Sequence, residues 1–396
     1  MGTLIKNGML VTAEHTFSAD ILVEEGKISR VESPGVLPVA GHNMIDAAGM
    51  LVFPGGIDPH VHMHLPTPAG FSSDDFLTGS RAALFGGTTT LIDFVTPHKG
   101  ENLCDALEKR KAEAENCLTD YAFHISPVEW RSSLPEEIRD CMEAGAPSFK
   151  VYMAYKKSIG LEDEDLKKVF QAVAEAGGMV TAHCESGDEI EALRDGFVKK
   201  GCTTPEYHPL SRPARLETEA VEKAIRFAAE ARCPFYIVHV SAASSLEPIR
   251  KAQKQGQEVY AESCPHYLLL DDSRYKGRFE EAAPYVLSPP LRKKADNRAL
   301  WKALADGTIQ TLGTDHCPFT LEQKRNGLHD FRKIANGAGS VEHRLTLLYT
   351  YGVLQNKISL NRFVELVSTQ PARIFGLYPR KGALLPGSDA DIVIWN

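Results

Sequence analysis

Eight short apolar runs rich in Val, Ile, Phe and Thr alternate with segments of helical period, and this alternation limits the fold more than any other feature of the chain. The runs lie near residues 51–57, 88–95, 121–126, 148–153, 179–183, 235–240, 258–262 and 311–314. Between them sit helical patterns such as 162–176 and 215–231. In the latter, Val221, Ala224, Ile225 and Ala228 follow the i, i+3, i+4, i+7 spacing of one buried helix face. Eight strands each followed by a helix predict an α/β protein built on a (β/α)8 barrel. The 396 residues suffice for one such barrel and a smaller domain.

The two ends read differently. Residues 1–52 carry short strand patterns, LIKNGMLVT, ADILVEEGKISRV and NMIDAAGM, and residues 378–396 carry ADIVIWN. Asn7-Gly8 and Glu25-Gly26 read as hairpin turns, the first more strongly. Both ends are expected in one small β-sandwich domain beside a barrel spanning 53–377. The C-terminal part stops at Asn396 straight after an apolar strand, so this domain is expected to be short of strands.

The formal net charge of −8 disfavours nonspecific nucleic-acid or anionic-lipid binding. The apolar runs are strand-sized and none reads as a membrane span. Residues 1–12 lack an apolar core with a cleavage site, so a cytoplasmic location is expected. The eight cysteines form no CxxC pair, which suits reduced thiols. Cys184 and Cys317 each follow a histidine. Adjacent strand residues face opposite ways, which argues against either as a nucleophile sharing the histidines' site.

The sharpest local feature is Asp58-Pro59-His60-Val61-His62 after LVFPGGI. Histidines two apart on a strand share a face, and at a strand's C-terminal end that face points into the barrel mouth. Two imidazoles there make half a site for zinc or a similar ion. His183 in VTAHC and His239 in YIVHV also sit late in apolar strands, where a polar side chain needs a partner. Asp315 in LGTDHCPF ends the last strand and suits a ligand or general base. Lys150 in SFKVYM is the odd member. Its ammonium cannot bind a metal, whereas its neutral amine can react with CO2 to give a carbamate. Pairing of Lys150 with Asp315 or another acid is the competing reading.

The segments GGIDPHVHMHLP, ALFGGTTTLIDF, SFKVYMAYK, VTAHCES, YIVHVS, SPPLR, GTDHCPF and FGLYPRKGALLPGSDADIVIW occur in order across the chain. With them the chain resembles the amidohydrolase superfamily, in particular its cyclic amidases, the dihydropyrimidinases and hydantoinases. The resemblance implies two divalent cations, usually zinc. His60, His62 and Asp315 would hold one, His183 and His239 the other, and carboxylated Lys150 (N6-carboxylysine) would bridge them. It also implies a proton-transfer role for Asp315 and an oxyanion hydrogen bond from Tyr155. Ser288 and Asn336 would bind the ring imide. Leu65, Tyr152 and Ile159 would line the pocket for the ring substituent.

The implied substrates are small cyclic imides or ureides: dihydrouracil, dihydrothymine or 5-substituted hydantoins, opened to N-carbamoyl amino acids. Dihydroorotases place an arginine two residues after HxH to grip a carboxylate. Here that position is His64, which disfavours them. Allantoinase is the alternative, because AESCPHYLLL resembles both groups. Thr67 stands where many relatives carry Phe, which leaves the substituent preference open. Collapsin response mediator proteins share the fold without metal ligands, as scaffolds. All six ligand positions here hold competent residues, against that reading. The resemblance further implies a homo-oligomer, by family a homotetramer.

Overall fold

A computed structural model describes residues 2–396. Eight strands form one sheet in the order of the chain: Gly56–Val61, Thr88–Val95, Asp120–Ile125, Ser148–Tyr152, Met179–His183, Phe235–Ile237, Val259–Ser263 and Thr311–Leu312. Every pairing between them is parallel. The sheet closes where Val61 bridges His316 and the His62 N–H donates to the His316 carbonyl at 2.8 Å. The expected α/β barrel is therefore present.

Closure uses buried charge as well as backbone. Asp58 accepts from the Thr314 N–H at 3.1 Å and from its hydroxyl at 2.6 Å, tying the first strand to the end of the last. The wholly buried Arg344 donates to the Ile57 and Leu312 carbonyls at 2.7 and 2.9 Å, across the same seam. A guanidinium can survive there because carbonyls and Thr88 take N–H groups of both terminal nitrogens and Asp58 lies 3.9 Å from its Nε.

The helices follow the expected periods. Ala214–Ala231 buries Leu216, Val221, Ala224, Phe227 and Ala228 on one face and ends at Arg232 in a left-handed cap. Asp163–Glu175 buries Leu166, Val169, Phe170 and Val173. Among the described residues no helix is long and apolar enough to cross a membrane.

The chain ends form a separate six-stranded sheet. Thr3–Val11, Thr16–Glu24, Lys27–Glu32, Asn43–Asp46 and Leu51–Pro54 join Ile392–Trp395 there. Its own core holds Ile5, Leu10, Ile21, Ile28, Val52 and Leu384.

Three local expectations need correction. The run at 51–57 is two strands: Leu51–Pro54 belongs to the end sheet and Gly56–Val61 to the barrel. His60 therefore lies inside the first barrel strand rather than after it. Asn7-Gly8 is a bulge within Thr3–Val11, not a hairpin. Asn7 has φ +62°, and its N–H and side-chain amide bond Asp20 and Asp46, which hold the extra residue. A Cβ on Gly8 would come within 2.6 Å of Val52. Glu25-Gly26 does turn the next hairpin, with both φ positive. Last, the sixth and eighth barrel strands end earlier than their apolar runs. His239 and Asp315 adopt φ +42° and +51°, and a left-handed residue cannot continue the ladder.

Candidate metal centre at the barrel mouth

The same two kinks aim side chains inward. Of the eight non-glycine residues with positive φ, four are His64, Tyr155, His239 and Asp315, all just beyond barrel-strand ends. Such backbone costs energy and gathers where function requires a fixed geometry.

His60, His62 and Asp315 bring one ligand atom each within 4.8 Å of one another. Asp315 Oδ1 lies 3.1 Å from the Nε2 atoms of both histidines. His183 Nδ1 and His239 Nε2 stand 2.9 Å apart, and the His60 and His239 rings are 5.4 Å apart. The two groups are thus contiguous. The floor is the buried Phe94 ring, which stacks on His62 at 4.7 Å and meets His60 edge-on at 4.9 Å. The Lys150 amine rests 4.5 Å above this ring and 5.1 Å from that of Tyr152.

Two carboxylates behind the histidines orient them. Glu262 binds His60 Nδ1 at 2.7 Å and accepts hydrogen bonds from the His239 N–H at 3.0 Å and the Tyr236 hydroxyl at 2.9 Å. Glu185 binds His183 Nε2 at 2.9 Å and pairs with the buried Arg212. Each carboxylate occupies the outward nitrogen, which leaves the inward one to act as a lone-pair donor. This geometry fits divalent cations, and a neighbouring pair of imidazoles suits zinc-like ions.

The electrostatics agree. Burial lowers His62 and His183, and His239 goes well below the usual histidine range, so these rings are neutral, the form able to offer a lone pair. Burial also opposes charge on His60, but Glu262 and Asp315 outweigh it and raise it to about 9. A cation would displace that proton. Asp315 is half-buried, which opposes its charge, yet His60 and His62 hold it well below the usual carboxylate range. Glu185 falls to about 2, because Arg212 and His183 overcome burial. Burial lowers Lys150 to about 8 against the pull of Asp315 and Glu262. Asp315 thus pairs with histidines, and Lys150 packs on aromatic rings rather than forming the ion pair weighed from the sequence.

The other singled-out residues fall in two groups. Tyr155 and Tyr152 lie by His183, with ring centroids 5.3 and 6.1 Å away, and the Arg212 guanidinium lies over the Tyr155 ring at 5.6 Å. The Ser288 hydroxyl meets Asn336 Oδ1 at 3.4 Å, so two segments 48 residues apart in sequence are brought together. Leu65 is half-buried, its N–H bonded to Ser72 Oγ, which in turn donates to the His62 carbonyl. Ile159 is half-buried in the turn whose N–H groups, its own at 3.2 Å, converge on the Tyr155 carbonyl. His64 stacks on Phe71 at 4.0 Å, away from the histidine cluster. Cys184 and Cys317 are buried, and burial pushes both thiols up, which makes them inert. All eight cysteines are free.

Sequence reasoning missed Glu185, Glu262, Asp58 and Arg212. A signal existed. Glu185 is two residues after His183, and Glu262 is a carboxylate late in an apolar strand, the pattern that singled out Lys150.

Known proteins share this architecture. A model of the amidohydrolase family matches residues 51–396. A D-hydantoinase of Geobacillus stearothermophilus is 43% identical over 399 residues, covering all of this chain and 84% of that protein. The crystal structure of a dihydropyrimidinase from Brevibacillus agri is 42% identical and superposes with a TM-score of 0.97, over all of this chain and 86% of that one. An L-hydantoinase (dihydropyrimidinase) structure from Arthrobacter aurescens is 34% identical with a TM-score of 0.90, over 99% of this chain and 86% of that one. The chain therefore belongs to the amidohydrolase family.

Proposed function

We propose that this protein opens the ring amide of dihydropyrimidines or 5-substituted hydantoins, giving N-carbamoyl amino acids. The observation that carries this is the convergence of four inward-facing imidazoles, Asp315 and a buried Lys150 at one barrel mouth. Its likeness to hydantoinases over the full chain supports it. His60, His62 and Asp315 would hold one divalent ion, and His183 and His239 a second, with zinc the expected metal. Such ions would lower the pKa of water to about 7 and polarise the scissile carbonyl.

The chain's own groups do the rest. Burial lowers Lys150 to about 8, so part of its amine is neutral near pH 7. That amine adds to CO2 and loses a proton, giving a carbamate with two oxygens for bridging. Asp315 stays ionised and takes the proton of the attacking water, then delivers it to the leaving ring nitrogen. The Tyr155 hydroxyl donates to the oxygen that gains charge. Ser288 and Asn336 hold the imide, and Leu65, Tyr152 and Ile159 face the substituent. A homotetramer working in the cytoplasm completes the proposal.

The test is a ring-opening assay on dihydrouracil, both enantiomers of 5-substituted hydantoins, allantoin and dihydroorotate. Turnover of dihydrouracil or a hydantoin is expected. Turnover of allantoin alone would replace this reading with allantoinase. Metal-free protein inert to the whole panel would leave the scaffold reading. Native mass about 44 Da above the sequence mass is the expected sign of the carbamate.

A further inference from the structure

Lys324 ends the short helix Leu321–Lys324 and is 2% exposed. Its partners are backbone carbonyls rather than carboxylates: Val286 at 3.1 Å, Ala335 at 2.9 Å and Gly337 at 2.9 Å. An ammonium has three donors, and here all three are used. Burying such a charge without a counter-ion is costly, so the three carbonyls must hold it in place. Burial also lowers the amine to about 8.

The carbonyls belong to two separate segments. Val286 is two residues before Ser288, and Ala335 and Gly337 flank Asn336. One further backbone bond, Gly337 N–H to the Val286 carbonyl at 3.0 Å, joins them. Among the described residues, no other donor reaches the Ala335 and Gly337 carbonyls. The Asn336 segment is also pinned to the segment that follows the eighth barrel strand and carries Asp315. Ala338 bridges His316 and accepts the Cys317 N–H at 3.0 Å, and a Cβ on Gly337 would lie 2.2 Å from the Cys317 carbonyl. Lys324 thus bonds both segments at once; the Ser288 hydroxyl also meets Asn336, and His208 and the Tyr267 hydroxyl bond the Leu287 and Pro289 carbonyls on either side of Ser288 without touching the Asn336 segment.

We propose that Lys324 is a positioning residue that sets the spacing of the Ser288 and Asn336 segments and thereby the affinity for the substrate ring. This rests on the reading of those two residues as ring-binding.

The experiment compares Lys324→Met, Lys324→Gln and Asn336→Ala with the parent in KM, kcat and bound metal, on whichever ring the panel identifies. Methionine is one heavy atom shorter and removes every donor, and glutamine keeps two N–H groups. For Lys324→Met, KM is expected to rise about tenfold with kcat within about threefold and metal content unchanged. Lys324→Gln should fall between it and the parent, and it carries the test if the methionine variant does not fold. A drop in kcat or metal content at unchanged KM, or a lower melting temperature alone, would overturn the proposal in favour of a structural role. If Asn336→Ala raises KM and the Lys324 variants do not, only the Lys324 proposal falls. If Asn336→Ala also leaves KM unchanged, the ring-binding reading falls with it.

Discussion

Two clusters in this chain each gather three groups able to hold a cation: His60, His62 and Asp315 at the barrel mouth, and Asp120, Asp389 and Asp391 where the C-terminal segment meets the barrel. They differ in what fills them. The carboxylate cluster already contains a cation. Lys381, its side chain 4% exposed, pairs with Asp120, with Asp391 at 2.6 Å and with Asp389 at 2.9 Å. It clamps the segment before the last strand to the start of the barrel strand Asp120–Ile125. At the mouth the lysine sits over aromatic rings instead, and the imidazole nitrogens face one another with carboxylates behind them. A cluster neutralised from within is a fastener. A cluster whose lone pairs converge, with no ammonium among them, is suited to receive an ion.

The largest test of this contrast is Lys150→Ala. It should remove bound metal and lower ring opening by roughly 10³-fold or more, a few kcal/mol of lost transition-state stabilisation. Normal activity would refute the bridging role. Glu262→Gln should come next. Losing the negative charge behind His60 is expected to weaken metal binding or activity by about 10–100-fold, read by metal analysis after dialysis. An unchanged stoichiometry and rate would mean that Glu262 only packs the barrel.

Lys381→Met should act oppositely, on stability rather than chemistry. Three carboxylates would lose their shared counter-ion, at a cost of about 2 kcal/mol given how exposed Asp120 is. Denaturant unfolding would measure it, with kcat and metal content unchanged. Metal loss in this variant would break the distinction between the clusters.

The smallest effect is its pH dependence. Burial lowers Lys381, but Asp120, Asp391 and Asp389 outweigh it and raise it above the ordinary lysine value. A raised folded pKa gives stability that is complete below the unfolded value and lost as pH rises through the folded one. The difference between parent and Lys381→Met should therefore stay flat from pH 6 to 9, where the amine is charged in both states. It should shrink only in strong alkali. A decline near neutral pH would contradict the clamp.

Much of the site was legible in the sequence because strand periodicity is short-range. His60 and His62 two apart, His183 and His239 late in apolar runs, and Lys150 inside one each violate the cost of burying polar groups, so each announced a partner. The resemblance turned that list into a ligand set. Asn7-Gly8 was misread for a related reason. Its local chemistry permits a turn, and only contacts with Asp20, Asp46 and Val52 make it a bulge. The boundary at 51–57 was hidden because an apolar strand of the end sheet runs straight into one of the barrel, and hydrophobicity does not say which neighbour a strand pairs with.

The sequence by itself determined the barrel class and marked four histidines, Asp315 and Lys150 as polar groups late in apolar strands that need partners, since these follow from period, polarity and chain order; their reading as one ligand set came from the resemblance. Only the tertiary structure decided which partner each buried charge takes. Glu262 and Glu185 stand behind the histidines, Lys150 lies on Phe94 and not against Asp315, and Lys324 and Lys381 serve carbonyls in one place and carboxylates in the other. The physical reason is distance. A pairing between residues tens or hundreds of positions apart leaves no periodic trace in the chain, and its strength depends on burial that exists only after folding.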